Sequence, residues 1–98
     1  MDDAPISARR RVQIVNTYGL HMRPSTRFVK TASPFESEVW VEYNSIRANG
    51  KSILEMTSLA AECGDWLEIE GIGPDAEEAL DALEALVRAG FHMGDEGA

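Results

Sequence analysis

A histidine two residues before an arginine and three before a proline has the clearest chemical use in this chain, within the run Tyr18-Gly19-Leu20-His21-Met22-Arg23-Pro24-Ser25. Proline is tolerated in the first turn of a helix, so Pro24 marks a helix start and puts His21 at its entrance. The first N–H groups of a helix lack internal partners, and the peptide dipoles add partial positive charge there. Such a terminus attracts anions. Arg23 adds a forked pair of donors suited to phosphate. Gly19 lets the chain turn tightly and leaves the imidazole uncovered. An imidazole ordinarily titrates near 6.5, so at neutral pH it is largely an unprotonated nucleophile. It can attack a phosphoryl donor through one ring nitrogen, and the N–P bond stays reactive because a protonated imidazole leaves readily. Positioning and electrostatics are what phosphoryl transfer asks of a protein. Taken alone, these residues leave a simpler alternative open, in which His21 only caps a helix.

The elements that hold this run follow from pattern. Val12 to Asn16 is β-branched and reads as a strand. Thr17-Tyr18-Gly19 is a turn. A helix opens at Pro24, carries Phe28, Val29 and Ala32 inward, and stops at Pro34. Glu38 to Tyr43 alternates, with Val39, Val41 and Tyr43 on one face and Glu38, Trp40 and Glu42 on the other, which predicts a half-buried strand. Asn44-Ser45 is a hairpin turn before a short strand through Ile46 and Ala48. Ser52 with Glu55 forms a capping box, and Ile53, Met56, Leu59, Ala60 and Cys63 follow at helical spacing up to Gly64. Trp66 to Gly71 alternates again. Asp75 with Glu78 repeats the capping pattern, and Ala76, Leu80, Leu83 and Val87 stripe a final helix whose Glu77, Asp81, Glu84 and Arg88 face outward. The order is β-α-β-β-α-β-α. One apolar face per strand predicts an α+β protein, an antiparallel sheet covered on one side.

At 98 residues one domain is expected: a leader over 1–9, the folded unit over 10–91 and a tail over 92–98. No apolar run approaches the ~20 residues that span a bilayer, and the charged first residues lack the apolar stretch of a secretory signal. Cys63 is the only cysteine, read as a core thiol, and a cytoplasmic location is expected. The net charge of -8 argues against nucleic acid. It is unevenly spread: residues 1–51 hold eight Lys/Arg and five Asp/Glu (+3), while residues 52–98 hold one Arg and twelve acids (-11). A basic surface on an acidic protein suits an anionic ligand or an acidic partner, and a solvated acidic half explains the rest equally well. His92 and His21 lack metal-ligand spacing, and no Gly-rich nucleotide loop is present, so neither metal nor cofactor is expected. The carboxylate pairs Glu68/Glu70 and Glu77/Glu78 read as solvated.

Gly19 to Pro24 resembles the Gly-Leu-His-x-Arg-Pro signature of the HPr family, histidine-containing phosphocarriers of the sugar phosphotransferase system. Phe28-Val29-Lys30, Glu42-Tyr43-Asn44, Gly50-Lys51-Ser52-Ile53-Leu54 with Ser58-Leu59, Gly64-Asp65 and Ala79 to Leu83 extend the likeness over roughly residues 10–90. The resemblance implies an open-faced β-sandwich with a four-stranded antiparallel sheet, order 1-4-2-3, under three helices. It implies that His21 accepts phosphate from Enzyme I, with phosphoenolpyruvate as donor, and gives it to a sugar-specific permease subunit. Arg23 would stabilise the phosphoryl group, and the chain would be a stoichiometric carrier, a monomer with no catalytic turnover of its own. Ser52 falls on the family's regulatory serine, the target of a dedicated serine kinase, although capping alone also accounts for a serine there. Met22, Arg27, Lys51, Ile53, Leu54 and Met56 would form the docking surface. Tyr18 and Met22 depart from the small residues common in the family, as Glu55 and Thr57 depart from its glycine and apolar residue. Two alternatives are a regulatory binding module that meets a kinase or transcription regulator through Ser52, Ile53 and Leu54, and a carrier in a truncated or nitrogen-related chain.

Overall fold

Val39 and Val41 are buried while Glu38 stays in solvent, and that alternation decides which face of the sheet is covered. The computed structural model describes residues 6–93. The elements are β1 (Ser7–Gln13), α1 (Met22–Ala32), β2 (Glu38–Tyr43), β3 (Ile46–Asn49), α2 (Ile53–Ser58), β4 (Trp66–Ile72) and α3 (Ala76–Arg88), with a 3-10 turn at Gly90–His92. The sheet order is β1-β4-β2-β3 and every pairing is antiparallel. Ala8, Val12, Val39, Val41, Ala48, Leu67 and Ile69 line the covered face, under Phe28, Met56, Leu80, Leu83 and Val87 from the helices. The fold is the two-layer α+β sandwich expected. Asn44 and Ser45 both take positive φ (52° and 65°), the geometry of a two-residue hairpin turn.

Four expectations need correction. The first strand begins at Ser7 and ends at Gln13, earlier than Val12 to Asn16. Three consecutive arginines hide its alternation. Arg9 and Arg11 lie on the open face, where the Arg11 guanidinium sits 4.4 Å from the Trp66 ring centre. Arg10 lies on the other face and donates to Glu77 (2.6 Å), Asp81 (2.9 Å) and Glu84 (3.0 Å) of α3. These contacts hold it charged, so Glu77, read as merely solvated, also pairs with Arg10 while staying exposed, as does Asp81. Ser7 to Arg9 of the expected leader therefore pair with β4, and residues 1–5 lie outside the described residues.

Second, α2 ends at Ser58, because Ala60 turns into the left-handed region (φ 55°). Cys63 is accordingly exposed rather than a core thiol. Third, the core runs past the expected boundary at residue 91: Met93 is buried, and residues 94–98 of the expected tail lie outside the described residues. Fourth, the Asp75 side chain does not cap α3. Its carboxylate instead accepts from the Glu36 N–H (3.0 Å), the Ser37 N–H (2.9 Å) and the Ser37 hydroxyl (2.5 Å), tying the α1–β2 connection to the start of α3.

The Ser37 hydroxyl, with these N–H groups, holds the Asp75 carboxyl below its ordinary value. A group with a depressed folded pKa stabilises the fold above its unfolded pKa, and that contribution is lost as pH falls through the folded value. Asp75→Asn should therefore lower the urea midpoint at pH 7, and the gap to the parent protein should shrink below about pH 3.9. Urea titrations at pH 7 and pH 3 with an equal gap would contradict it.

Among the described residues no helix is long and apolar enough to cross a membrane.

Candidate functional site

The site is built from a turn, a helix start and a wall. Asn16 and Gly19 close the turn: the Gly19 N–H donates to the Asn16 carbonyl (3.3 Å), and the buried Asn16 Nδ2 donates to the Gly19 carbonyl (2.9 Å). Gly19 has φ 69°, and a Cβ there would fall on the Ala61 carbonyl oxygen and 2.8 Å from Glu62 Cα. Only glycine fits. The Leu20 N–H then donates to the Ala61 carbonyl (2.9 Å), which joins the turn to the wall. The wall is held from below, since Asp65 accepts from the Glu62 N–H (2.8 Å) and from the Tyr43 hydroxyl (2.7 Å). That shared bond lowers the Asp65 pKa and raises that of Tyr43.

His21 is the N-cap residue of α1 by backbone (φ -76°, ψ -171°), but its side chain makes no cap hydrogen bond. The simple capping role for its imidazole is thereby removed. The Ser25 N–H donates to the His21 carbonyl (3.1 Å) and closes the first turn. The Met22 and Arg23 N–H groups precede that first bond, and Pro24 has none. The imidazole is exposed, and its ring centre lies 6.0 Å from that of Tyr18, with the planes at 74°. A depression beside it is lined by Tyr18, His21, Thr57, Ala60, Ala61 and Glu62. Arg23 is exposed in the first turn of α1. The arrangement offers an exposed imidazole at the start of α1, with Arg23 two residues on in the same first turn. Asn16 and Ser25, whose hydroxyl donates to the Leu20 carbonyl (3.2 Å), escaped the sequence reading. An Asn three residues before Gly19 was the only signal for the first.

Ser52 is the N-cap of α2: its Oγ accepts from the Glu55 N–H (3.2 Å), while the Glu55 carboxylate turns to the Asn49 N–H (2.8 Å). The expected docking residues divide. Met22, Ile53 and Leu54 are exposed. Arg27 donates to the Phe91 (2.8 Å) and His92 (2.9 Å) carbonyls, and Lys51 Nζ donates to the Phe35 carbonyl (2.6 Å), so both also hold the fold. Met56 is corrected outright: it is 0% exposed and belongs to the core, because α2 presents that side to the sheet. Met56→Ala should cost about 2–5 kcal/mol of stability. Leu54→Ala, at a residue 82% exposed, should stay within about 0.5 kcal/mol. Equal losses in urea titration would overturn that division.

Fold and site together define a class: a one-sided α/β sandwich that presents an uncapped imidazole at a helix start. Residues 8–89 match the family described as the PTS HPr component phosphorylation site. The phosphocarrier protein HPr of Neisseria meningitidis is 45% identical over 87 residues, covering 89% of this chain and 98% of that protein. The phosphocarrier protein NPr of Proteus mirabilis is 36% identical over 83 residues, covering 84% and 92%. A crystal structure of HPr from Thermoanaerobacter tengcongensis superposes with a TM-score of 0.84 at 39% identity, covering 87% of this chain and 96% of that one. The chain belongs to the HPr family.

Proposed function

We propose that this protein is a phosphocarrier of the phosphotransferase system that accepts a phosphoryl group on His21 and passes it on. The donor would be Enzyme I, charged from phosphoenolpyruvate, and the acceptor a sugar-specific permease subunit. The observation that carries this reading is the exposed His21 imidazole, free of a capping bond, at the start of α1. A ring nitrogen attacks phosphorus. The N–P bond forms as the bond to the donor breaks, and the electron pair leaves with the donor, which takes up a proton. Arg23 and the first amides of α1 stabilise charge on the phosphoryl oxygens. Transfer onward repeats the step in reverse, with the imidazole as leaving group. The protein is consumed and regenerated as a stoichiometric carrier, a cytoplasmic monomer on this reading, and the exposed Met22, Ile53 and Leu54 supply apolar contact to its partners.

Incubation with phosphoenolpyruvate and a compatible Enzyme I should give acid-labile, alkali-stable phosphate, found on the His21 ring by 31P NMR and mass spectrometry. Phosphate found only elsewhere would overturn the proposal. The NPr relatives are compatible with a chain that does not serve sugar uptake and do not favour it. A regulatory role draws on the exposed Ile53 and Leu54 beside Ser52. Modification of Ser52 by a serine kinase would put phosphoryl oxygens where its Oγ now accepts from the Glu55 N–H and add charge next to that apolar pair. A Ser52→Asp variant with unchanged partner affinities would count against it.

A further inference from the structure

We infer that Tyr18 is a positioning residue that holds the His21 imidazole in its reactive orientation, an inference that rests on the carrier role proposed above. The His21 side chain has no cap hydrogen bond, so nothing of that kind fixes its rotation. The contact the structure gives its ring is the edge-on one to Tyr18, at 6.0 Å and 74°. That geometry lies within the favoured T-shaped range for aromatic rings. Tyr18 is 65% exposed and gains little from burial. Its backbone is nevertheless tied on both sides by hydrogen bonds. It sits inside the turn closed by Asn16 and Gly19, and Gly19 is wedged against Ala61. The ring therefore projects from a fixed base and flanks the same depression as the imidazole. A ring held on one side samples fewer rotamers, and a nucleophile already aimed at its target reacts faster.

The contact belongs to the ring and not to the hydroxyl, and this separates it from a hydrogen-bonding role. Tyr18→Phe should keep it and Tyr18→Ser should lose it. The first measurement is made on the unphosphorylated protein: 13C relaxation of the His21 ring C–H groups and the ring-current shift of their protons. Tyr18→Ser should raise ring mobility and abolish the shift, while Tyr18→Phe retains both. The second is the rate of phosphoryl uptake from Enzyme I and phosphoenolpyruvate. Tyr18→Ser should slow it by about 3- to 10-fold, the scale of one aromatic pair, with Tyr18→Phe near the parent rate.

Unchanged ring mobility in Tyr18→Ser would overturn the inference, even with slower uptake, which would then report a lost partner contact. Tyr18→Phe falling together with Tyr18→Ser would overturn it in favour of the hydroxyl. If the parent protein takes no label at His21, the carrier reading fails, and the inference about its reactive orientation falls with it. Normal labelling of the parent with unchanged mobility and uptake in Tyr18→Ser sinks the inference and leaves the carrier role standing.

Discussion

His21→Ala should take up no phosphoryl group from Enzyme I, a loss of about a thousandfold or more, on the scale of removing a nucleophile. The substitution removes the attacking nitrogen and leaves the amides and the guanidinium in place. On the proposed mechanism those groups only stabilise charge and form no bond to phosphorus. The fold should be indifferent to the change. The side chain is exposed and makes no capping bond, so the urea midpoint should correspond to a change within about 0.5 kcal/mol. A stable, unlabelled variant isolates the chemistry from the scaffold. Residual labelling at the parent rate would move the acceptor elsewhere, and Ser52 would be the first residue to examine.

Gly19→Ala should be the most damaging single-methyl change near the site. Two costs add there. The left-handed backbone (φ 69°) penalises a Cβ by about 1–2 kcal/mol. The added carbon also meets the Ala61 carbonyl and Glu62 backbone, and overpacking against a held backbone costs a further ~1–3 kcal/mol. Gly64 is the matched control, with φ 93° and no atom within 4 Å of an added Cβ. Gly64→Ala should show only the conformational cost. Because Leu20 is bonded to Ala61 on the far side of Gly19, the clash also pushes His21 away from the wall. Uptake should fall together with stability in Gly19→Ala and stay near the parent rate in Gly64→Ala. Equal urea midpoints for the two variants would mean that the turn has slack the structure does not display.

The chemical run was legible because its logic is local. A proline near a helix start, a histidine ahead of it and an arginine beside it need no knowledge of distant chain. The same holds for β2, where Val39 and Val41 alternate with polar neighbours, and for the Asn44-Ser45 turn. Misreadings came where a remote partner decides the outcome. Strand alternation puts Arg10 on the side of Ala8 and Val12, and a charge is accommodated there because Glu77, Asp81 and Glu84 stand one turn apart on α3 to receive it. Asp75 looks like a cap in sequence but is claimed by Ser37, on the connection ahead of β2. The α2 stripe continues in sequence through Cys63, yet the chain leaves the helix at Ala60 to form the wall beside His21. The family likeness puts Met56 on the surface, whereas its spacing with Leu59 places it inside, where both are buried.

The register of the sheet has a temporal consequence. Ser7 is opposite Ile72, so the earliest of the four described strands is paired by the latest of them. Until β4 begins at Trp66, β1 carries three arginines and has none of its ladder partners. Contacts this far apart along a chain slow folding, because a long loop must close before any of them forms. Synthesis of β4 must therefore precede closure of this sheet, and a chain stalled before Trp66 should remain open to proteases.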